Sequence, residues 1–150
     1  MNDPGRTYLE SRVLTASPAK LQWMLIDGAL KSVRRAEERL EAGDSMRANV
    51  ELSHAESILS EIVGAMRKDV DPKLVEQSAA VYAFVIRRLT EAHLSAEIQP
   101  VRDAARVLEI ELETWRQVCE ANTARVAPPP SHLFAAADSA AYQGGFTLDA

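Results

Sequence analysis

The amino-acid sequence predicts an all-α protein, an antiparallel up-down four-helix bundle with an N-terminal cap segment and a flexible C-terminal tail. An apolar stripe with alternating steps of four and three residues recurs four times between residues 18 and 120. Such spacing places side chains on one face of a helix. Helix start and stop signals lie between the copies and leave room only for short connections. Short connections make consecutive helices antiparallel.

Each stripe contributes one predicted inward face, and the first is broader than the others. Extra apolar positions beside a narrow seam favour a globular bundle over a two-stranded coiled coil. The predicted faces, in chain order, are Leu21, Trp23, Leu25, Ile26, Ala29, Leu30 and Val33; Ala48, Leu52, Ala55, Leu59, Ile62 and Met66; Val75, Ser78, Tyr82, Val85, Leu89 and Ala92; and Val101, Ala104, Leu108, Leu112, Trp115 and Cys119.

Local signals predict where the helices begin and end. Ser17 before a proline gives an N-cap followed by a residue suited to the first helical position, and Asp71 before another proline repeats the signal. Gly43 followed by Asp44 indicates a helix stop and then directly the next N-cap. Pro100 fits only within a first turn, so the fourth helix is expected to start at residue 97 or 98.

These signals divide the chain into a cap segment at 1–17, a bundle at 18–124 and a tail at 125–150. Three prolines at 128–130 end any helix, and the segment after them is rich in Ala, Ser and Gly. We expect the tail to be flexible. Docking of the tail on the bundle remains an alternative because it also contains apolar side chains, namely Leu133, Phe134, Tyr142, Phe146 and Leu148.

Composition excludes several functional classes. The formal charge of -5 comes from 17 basic and 22 acidic residues that are interspersed along the helices, so no basic stripe is available for nucleic acid. The beginning of the sequence lacks the features of a signal peptide, and no run reaches the roughly 20 apolar residues that span a bilayer. These features predict a cytoplasmic protein without membrane insertion. The single cysteine, Cys119, excludes an internal disulfide and is expected to be a small core residue.

One motif in the sequence is a weak candidate for a metal site. Glu51 and His54 form a Glu-x-x-His motif of the kind that binds di-iron centres in helical bundles, but such centres need two copies and two further carboxylates. There is no Cys-x-x-Cys, Gly-x-Ser-x-Gly or glycine-rich phosphate loop. We therefore predict neither an enzyme nor a cofactor or metal site. The remaining function is protein binding, through apolar residues outside the narrow seams that leave grooves for an amphipathic partner.

The order of residues resembles the FliS family of flagellar export chaperones over about residues 8 to 120. Tyr8 and the run Val-Leu-Thr-Ala-Ser-Pro at 13–18 are similar to the family's opening. The segments at 21–30 and 81–89 and the Leu-to-Trp ending at 112–115 come next, in the family's order. The chain departs from the family pattern at Ile26, Ser78 and His93, which indicates a divergent member.

The resemblance implies a cytoplasmic chaperone that binds the disordered C-terminal segment of flagellin, prevents premature polymerisation and keeps it competent for secretion. The flagellar export apparatus is a further implied partner. Tyr8 and Leu14 are expected to cover the client groove when it is empty, with packing on the bundle end as the alternative. The expected groove residues are Ile58, Tyr82, Phe84 and Ile86. Rival interpretations are a self-associating helical module, a chaperone for another client, and a metal-binding bundle; the oligomeric state is left open.

Overall fold

A computed structural model describes Gly5 and residues 17–66 and 72–124 of the chain. From residue 17 onward these form four helices, α1 (Pro18–Glu41), α2 (Ser45–Gly64), α3 (Pro72–Ser95) and α4 (Ile98–Ala124). Each helix packs against its neighbours in the chain, and α4 closes the bundle against α1. The contact between α2 and α3 is the least extensive of the four. The predicted all-α four-helix bundle is confirmed.

Ion pairs and hydrogen bonds establish the antiparallel order. Going backwards along α1 from Arg35 to Ser32, the partners in α2 advance from Glu51 to His54. The α1–α4 contact has the same sense, because Glu41 and Glu37 bind Arg102 whereas Arg34 binds Glu109. In the α3–α4 contact, Arg88 binds Asp103 and Tyr82 binds Glu111. The helices therefore run up, down, up and down.

The helix boundaries follow the local signals. Ser17 is the N-cap of α1, and its hydroxyl accepts a hydrogen bond from the backbone N–H of Lys20. Asp44 caps α2 in the same way through the N–H of Arg47. Gly43 has a φ of 77°, a left-handed conformation that suits glycine after a helix end. The fourth helix begins at Ile98, within the predicted range.

The link between α3 and α4 contains an unexpected residue in the left-handed region. Ala96 has a φ of 57°, although its side chain makes this conformation unfavourable. Its N–H donates to the carbonyl oxygen of Ala92, and the hydroxyl of Ser95 accepts from the N–H of Glu97. These hydrogen bonds satisfy backbone groups at the turn, and their stabilisation offsets the cost of the left-handed conformation of Ala96.

The core confirms most of the predicted faces. All six residues of the second face are buried, and so are Tyr82, Val85, Leu89 and Ala92 of the third. The side chain of Val75 lies outside the described residues, and Ser78 is half-buried. In the fourth face burial stops after Leu108, because the last three members, Leu112, Trp115 and Cys119, are half-buried.

The first face differs more from the prediction. Ile26, Ala29 and Val33 are buried as expected, whereas Leu21, Trp23, Leu25 and Leu30 are only half-buried. The core also takes in two polar side chains of α1, Gln22 and Ser32, which the apolar pattern could not indicate. Both are hydrogen-bonded to residues of other helices, as buried polar groups must be to avoid a desolvation penalty. The predicted cap segment and tail lie outside the described residues, apart from Gly5 and Ser17.

Candidate functional site

Tyr82 is the polar centre of the bundle. Its side chain is only 1% exposed. The hydroxyl donates to Oε2 of Glu111 at 2.9 Å, accepts from Nε2 of Gln22 at 2.8 Å, and is hydrogen-bonded to Trp115. Burial, and then the negative charge of Glu111, raise the pKa of Tyr82 well above its usual value. Contrary to the expectation of a groove residue, Tyr82 belongs to the core, because its hydroxyl ties α3 to α1 and α4.

Phe84 lies on the flank of α3 that faces α4. Arg88, one turn further along α3, binds Asp103 of α4 at 2.6 Å, and residues four apart share a helix face. Ile110 is seven residues after Asp103 and therefore lies on the α3-facing flank of α4. The exposed fractions are 38% for Phe84 and 61% for Ile110. We call this exposed pair, Phe84 and Ile110, the α3–α4 apolar strip.

The register of the two helices puts the members of this strip at a similar height. Arg88 is opposite Asp103 and Tyr82 is opposite Glu111. Because the helices are antiparallel, Phe84 lies opposite the part of α4 between those two acidic residues. Ile110 is in that part. The bundle therefore presents two large apolar side chains beside the contact between two packed helices.

Ion pairs at one end of the strip are already satisfied within the bundle. Arg88 binds both Asp103 and Glu91, and the amide of Gln99 donates to Asp103 at 2.9 Å. The hydrogen bond from Gln99, followed by that from Arg88, lowers the pKa of the Asp103 carboxyl. The charges are paired with one another, so a ligand at the strip gains mainly from apolar contact.

Ile86 lies on the opposite flank of α3, facing α2. His93 and Thr90 both approach Glu56 of α2, with His93 Nε2 at 2.6 Å from one carboxylate oxygen and Thr90 Oγ1 at 3.5 Å from the other. Ile86 is four residues before Thr90 and seven before His93, so it shares their face. It is half-buried against the core. Glu56 and His93 thus connect the two helices that pack least extensively.

Ile58 lies on a third flank, between α1 and α2. A Cβ atom at Gly28 of α1 would be 3.7 Å from its Cδ1 atom, which is ordinary van der Waals contact. The side chain is half-buried and packs against the core. The structure therefore distributes Ile58, Ile86 and Phe84 over three different flanks and does not bring them into one groove. Tyr8 and Leu14, the expected cover residues, lie outside the described residues.

The Glu-x-x-His motif is used for helix packing. Arg35 donates to Glu51 at 3.0 Å, and the Ser32 hydroxyl is 2.8 Å from Nδ1 of His54. Within 17–66 and 72–124, no three His, Cys, Asp or Glu side chains are grouped closely enough to hold a metal ion. No helix in the same ranges has both the length and the hydrophobicity needed to cross a membrane.

Most of the chain is similar to known proteins. The family model for the flagellar protein FliS matches residues 1–122. The chain belongs to the FliS family. It is 31% identical over 115 residues to the flagellar secretion chaperone FliS of Salmonella typhimurium, covering 76% of this chain and 85% of that protein.

Two further relatives share the same description. The flagellar secretion chaperone FliS of Bacillus subtilis is 26% identical over 120 residues, which cover 80% of this chain and 89% of that protein. That of Escherichia coli is 26% identical over 110 residues, covering 73% and 81%. The FliS relatives are chaperones, so the family is not one of enzymes.

Sequence reasoning misses one member of the strip. Ile110 lies between Leu108 and Leu112, away from the predicted inward face. A large apolar side chain at an outward position is the available signal. This signal can be interpreted only from the structure, where Asp103 binds Arg88 of α3 and so shows that this flank of α4 faces α3.

Proposed function

We propose that this protein is a flagellar export chaperone that binds the disordered C-terminal segment of flagellin in the cytoplasm. By covering that segment it would prevent premature polymerisation and keep flagellin competent for secretion. The names of the FliS relatives support the chaperone role. The observation that carries the binding proposal is the α3–α4 apolar strip, where Phe84 and Ile110 remain exposed beside the contact between the two helices.

The strip suits an amphipathic segment better than a small substrate. Two exposed apolar side chains on adjacent helices can receive anchors spaced by one helical turn on a partner helix. The carboxylates beside the strip, Asp103 and Glu91, are already bound by Arg88, so they are not free to hold a metal ion. A disordered client would become helical on binding, which costs roughly 2–5 kcal/mol and is offset by buried apolar area.

Half-buried residues on the other flanks of the bundle would make secondary contacts with the client. Ile86 beside α2 and Ile58 beside α1 each expose part of their surface, so a client that wraps around the bundle would contact them in turn. Tyr82 would act indirectly, by holding the helices that carry the strip. Tyr8 and Leu14 would cover the client surface before binding, and the export apparatus would receive the loaded complex.

Calorimetric titration with the C-terminal segment of flagellin from the same organism tests the proposal. We expect a one-to-one complex and a gain of helical circular dichroism signal. Phe84→Asp and Ile110→Asp should each weaken binding at least tenfold, because a carboxylate would be buried against the client. Met46→Asp is the matched control, since Met46 is 81% exposed on α2, away from the strip, and it should change the affinity less than twofold.

Other results would redirect the proposal. Equal weakening by Met46→Asp would mean that the strip has no special role. If no binding is seen at about 100 μM of the flagellin segment, the Kd must be weaker than about 100 μM, and another client would be favoured. If the chain instead self-associates through the strip, Phe84→Asp would lower the mass in solution without any client present.

The cover role of the N-terminal segment has a separate test. Tyr8→Ser combined with Leu14→Ser should tighten client binding if these side chains compete with the client. Unchanged or weaker binding would contradict the cover role. Retained helical signal and an unchanged unfolding midpoint would show that the bundle itself is intact in this variant.

A further inference from the structure

A cleft lies between the beginning of α1 and the end of α4. Its volume is about 470 Å³, and its walls are Lys20, Trp23, Arg116, Cys119, Glu120 and Thr123. The ammonium group of Lys20 lies 4.4 Å from the centre of the Trp23 ring. This is the end of the bundle where the inward face of α4 is only half-buried. The volume is within the range that receives a small ligand or a few side chains.

Polar atoms beside the cleft lack hydrogen-bond partners among the described residues. The indole N–H of Trp23 and both polar atoms of the Asn122 side chain are buried and unpaired within 17–66 and 72–124. Asn122 is not itself a wall of the cleft, but it lies within one helical turn of Cys119, which is. Buried polar groups are normally satisfied. An indole donor and an amide that both donates and accepts match the carbonyl and N–H groups of a peptide backbone.

We propose that the cleft is the docking site for a segment of this same chain, centred on Leu133 and Phe134. Chain 125–150 lies outside the described residues and continues from Ala124, one residue after a wall of the cleft. The family match ends at residue 122, so this role is specific to the sequence beyond the shared family region. The two apolar side chains would cover the Trp23 ring and the Cys119 thiol, and their backbone would pair with the indole and the amide.

The chain after Ala124 has the length and the composition needed to fold back to the cleft. Cys119 lies about 8 Å along the helix axis from Ala124, at roughly 1.5 Å per residue. The nine steps from Ala124 to Leu133 can span up to about 30 Å when extended. The prolines at 128–130 prevent α4 from continuing. Charged side chains from 125 to 150 are limited to Arg125, Asp138 and Asp149, fewer than a solvated extension ordinarily carries.

Cys119 provides a direct probe because it is the single cysteine of the chain and lines the cleft. The experiment measures the rate at which an aromatic disulfide reagent modifies this thiol in the full-length protein. We expect the double variant Leu133→Ser, Phe134→Ser to react at least tenfold faster than the unmodified sequence. The matched control, Phe146→Ser with Leu148→Ser, removes the same kind of side chains further along and should leave the rate within twofold.

Each alternative occupant gives a distinct result. Equal rates for the double variant and the unmodified sequence would overturn the proposal. If Tyr8→Ser with Leu9→Ser accelerates the reaction and the tail variant does not, the segment before α1 occupies the cleft instead. If the reaction becomes slower as the protein concentration rises, in all variants, a second copy of the chain occupies the cleft. Unchanged circular dichroism in every variant ensures that thiol exposure does not reflect unfolding.

Discussion

The hydrogen-bonded centre at Tyr82 permits the most detailed prediction. Tyr82→Phe keeps the ring in the core but removes the hydroxyl that accepts from Gln22 and donates to Glu111. Gln22 is only 2% exposed, so its amide would lose this partner in a buried place. Leaving a buried donor unpaired costs about 1–3 kcal/mol. For a chain of 150 residues, this corresponds to a fall in Tm of roughly 2–12 °C.

Urea unfolding followed by circular dichroism measures this loss, and a double-mutant cycle assigns it. Gln22→Met replaces the amide by an apolar side chain of similar length. If the hydrogen bond between Gln22 and Tyr82 is the cause, the double variant should be less destabilised than the sum of the two single variants, by about 1 kcal/mol or more. Phe84→Leu, a change at a partly exposed aromatic ring, should cost less than about 1 kcal/mol and serves as the control.

Two outcomes would refute this reasoning. A Tyr82→Phe variant within about 0.5 kcal/mol of the unmodified sequence would show that Gln22 finds another partner at no cost. Strict additivity in the cycle would show that the two side chains are not coupled, whatever their separation.

Three further predictions concern pH, backbone conformation and the core. Burial and Glu111 raise the pKa of Tyr82 above 10.0, so above about pH 10 the unfolded chain loses the Tyr82 proton more readily than the folded chain. The free energy of unfolding should therefore fall with pH more steeply than in Tyr82→Phe, by up to ~1.4 kcal/mol per pH unit. Equal slopes for the two proteins would contradict the pKa shift. At the two residues with a left-handed backbone conformation, we expect substitutions to change the free energy of unfolding in opposite directions. Gly43→Ala should destabilise the protein by about 1–2 kcal/mol, and Ala96→Gly should stabilise it by roughly 0.5–1 kcal/mol. Chemical unfolding measures both, with Gly43→Asn as the milder comparison, and destabilisation by Ala96→Gly would show that backbone entropy outweighs strain there. Leu52→Ala leaves a cavity in the core and should cost about 2–5 kcal/mol by the same assay; a cost below about 1 kcal/mol would mean that the neighbouring helices collapse into the space.

The sequence could predict the helices because their signals are local. Ser17 and Asp44 cap helices through bonds to residues three positions ahead, and Gly43 supplies the left-handed turn between α1 and α2. The apolar spacing of α2 identified its complete buried face. These features depend on contacts within a few residues, so they can be derived without knowing which helices are neighbours.

The proposed client surface depended on the tertiary structure. Helical spacing shows which residues share a face, but it does not show which neighbour that face meets. Tyr82 and Phe84 are two residues apart, yet Tyr82 is enclosed by polar partners from α1 and α4 and Phe84 is partly exposed. Ile110 became part of a surface only because α4 packs beside α3.

By itself, then, the sequence determined the number of helices, their boundaries, most of the core and the similarity to the FliS family. Only the tertiary structure decided how Gln22 came to be buried, which flanks Ile58, Ile86 and Phe84 occupy, and where the cleft beside Trp23 lies. The physical reason is that helix formation and capping are settled by near neighbours in the chain. The pairing of flanks depends on side-chain packing between helices that are far apart in sequence.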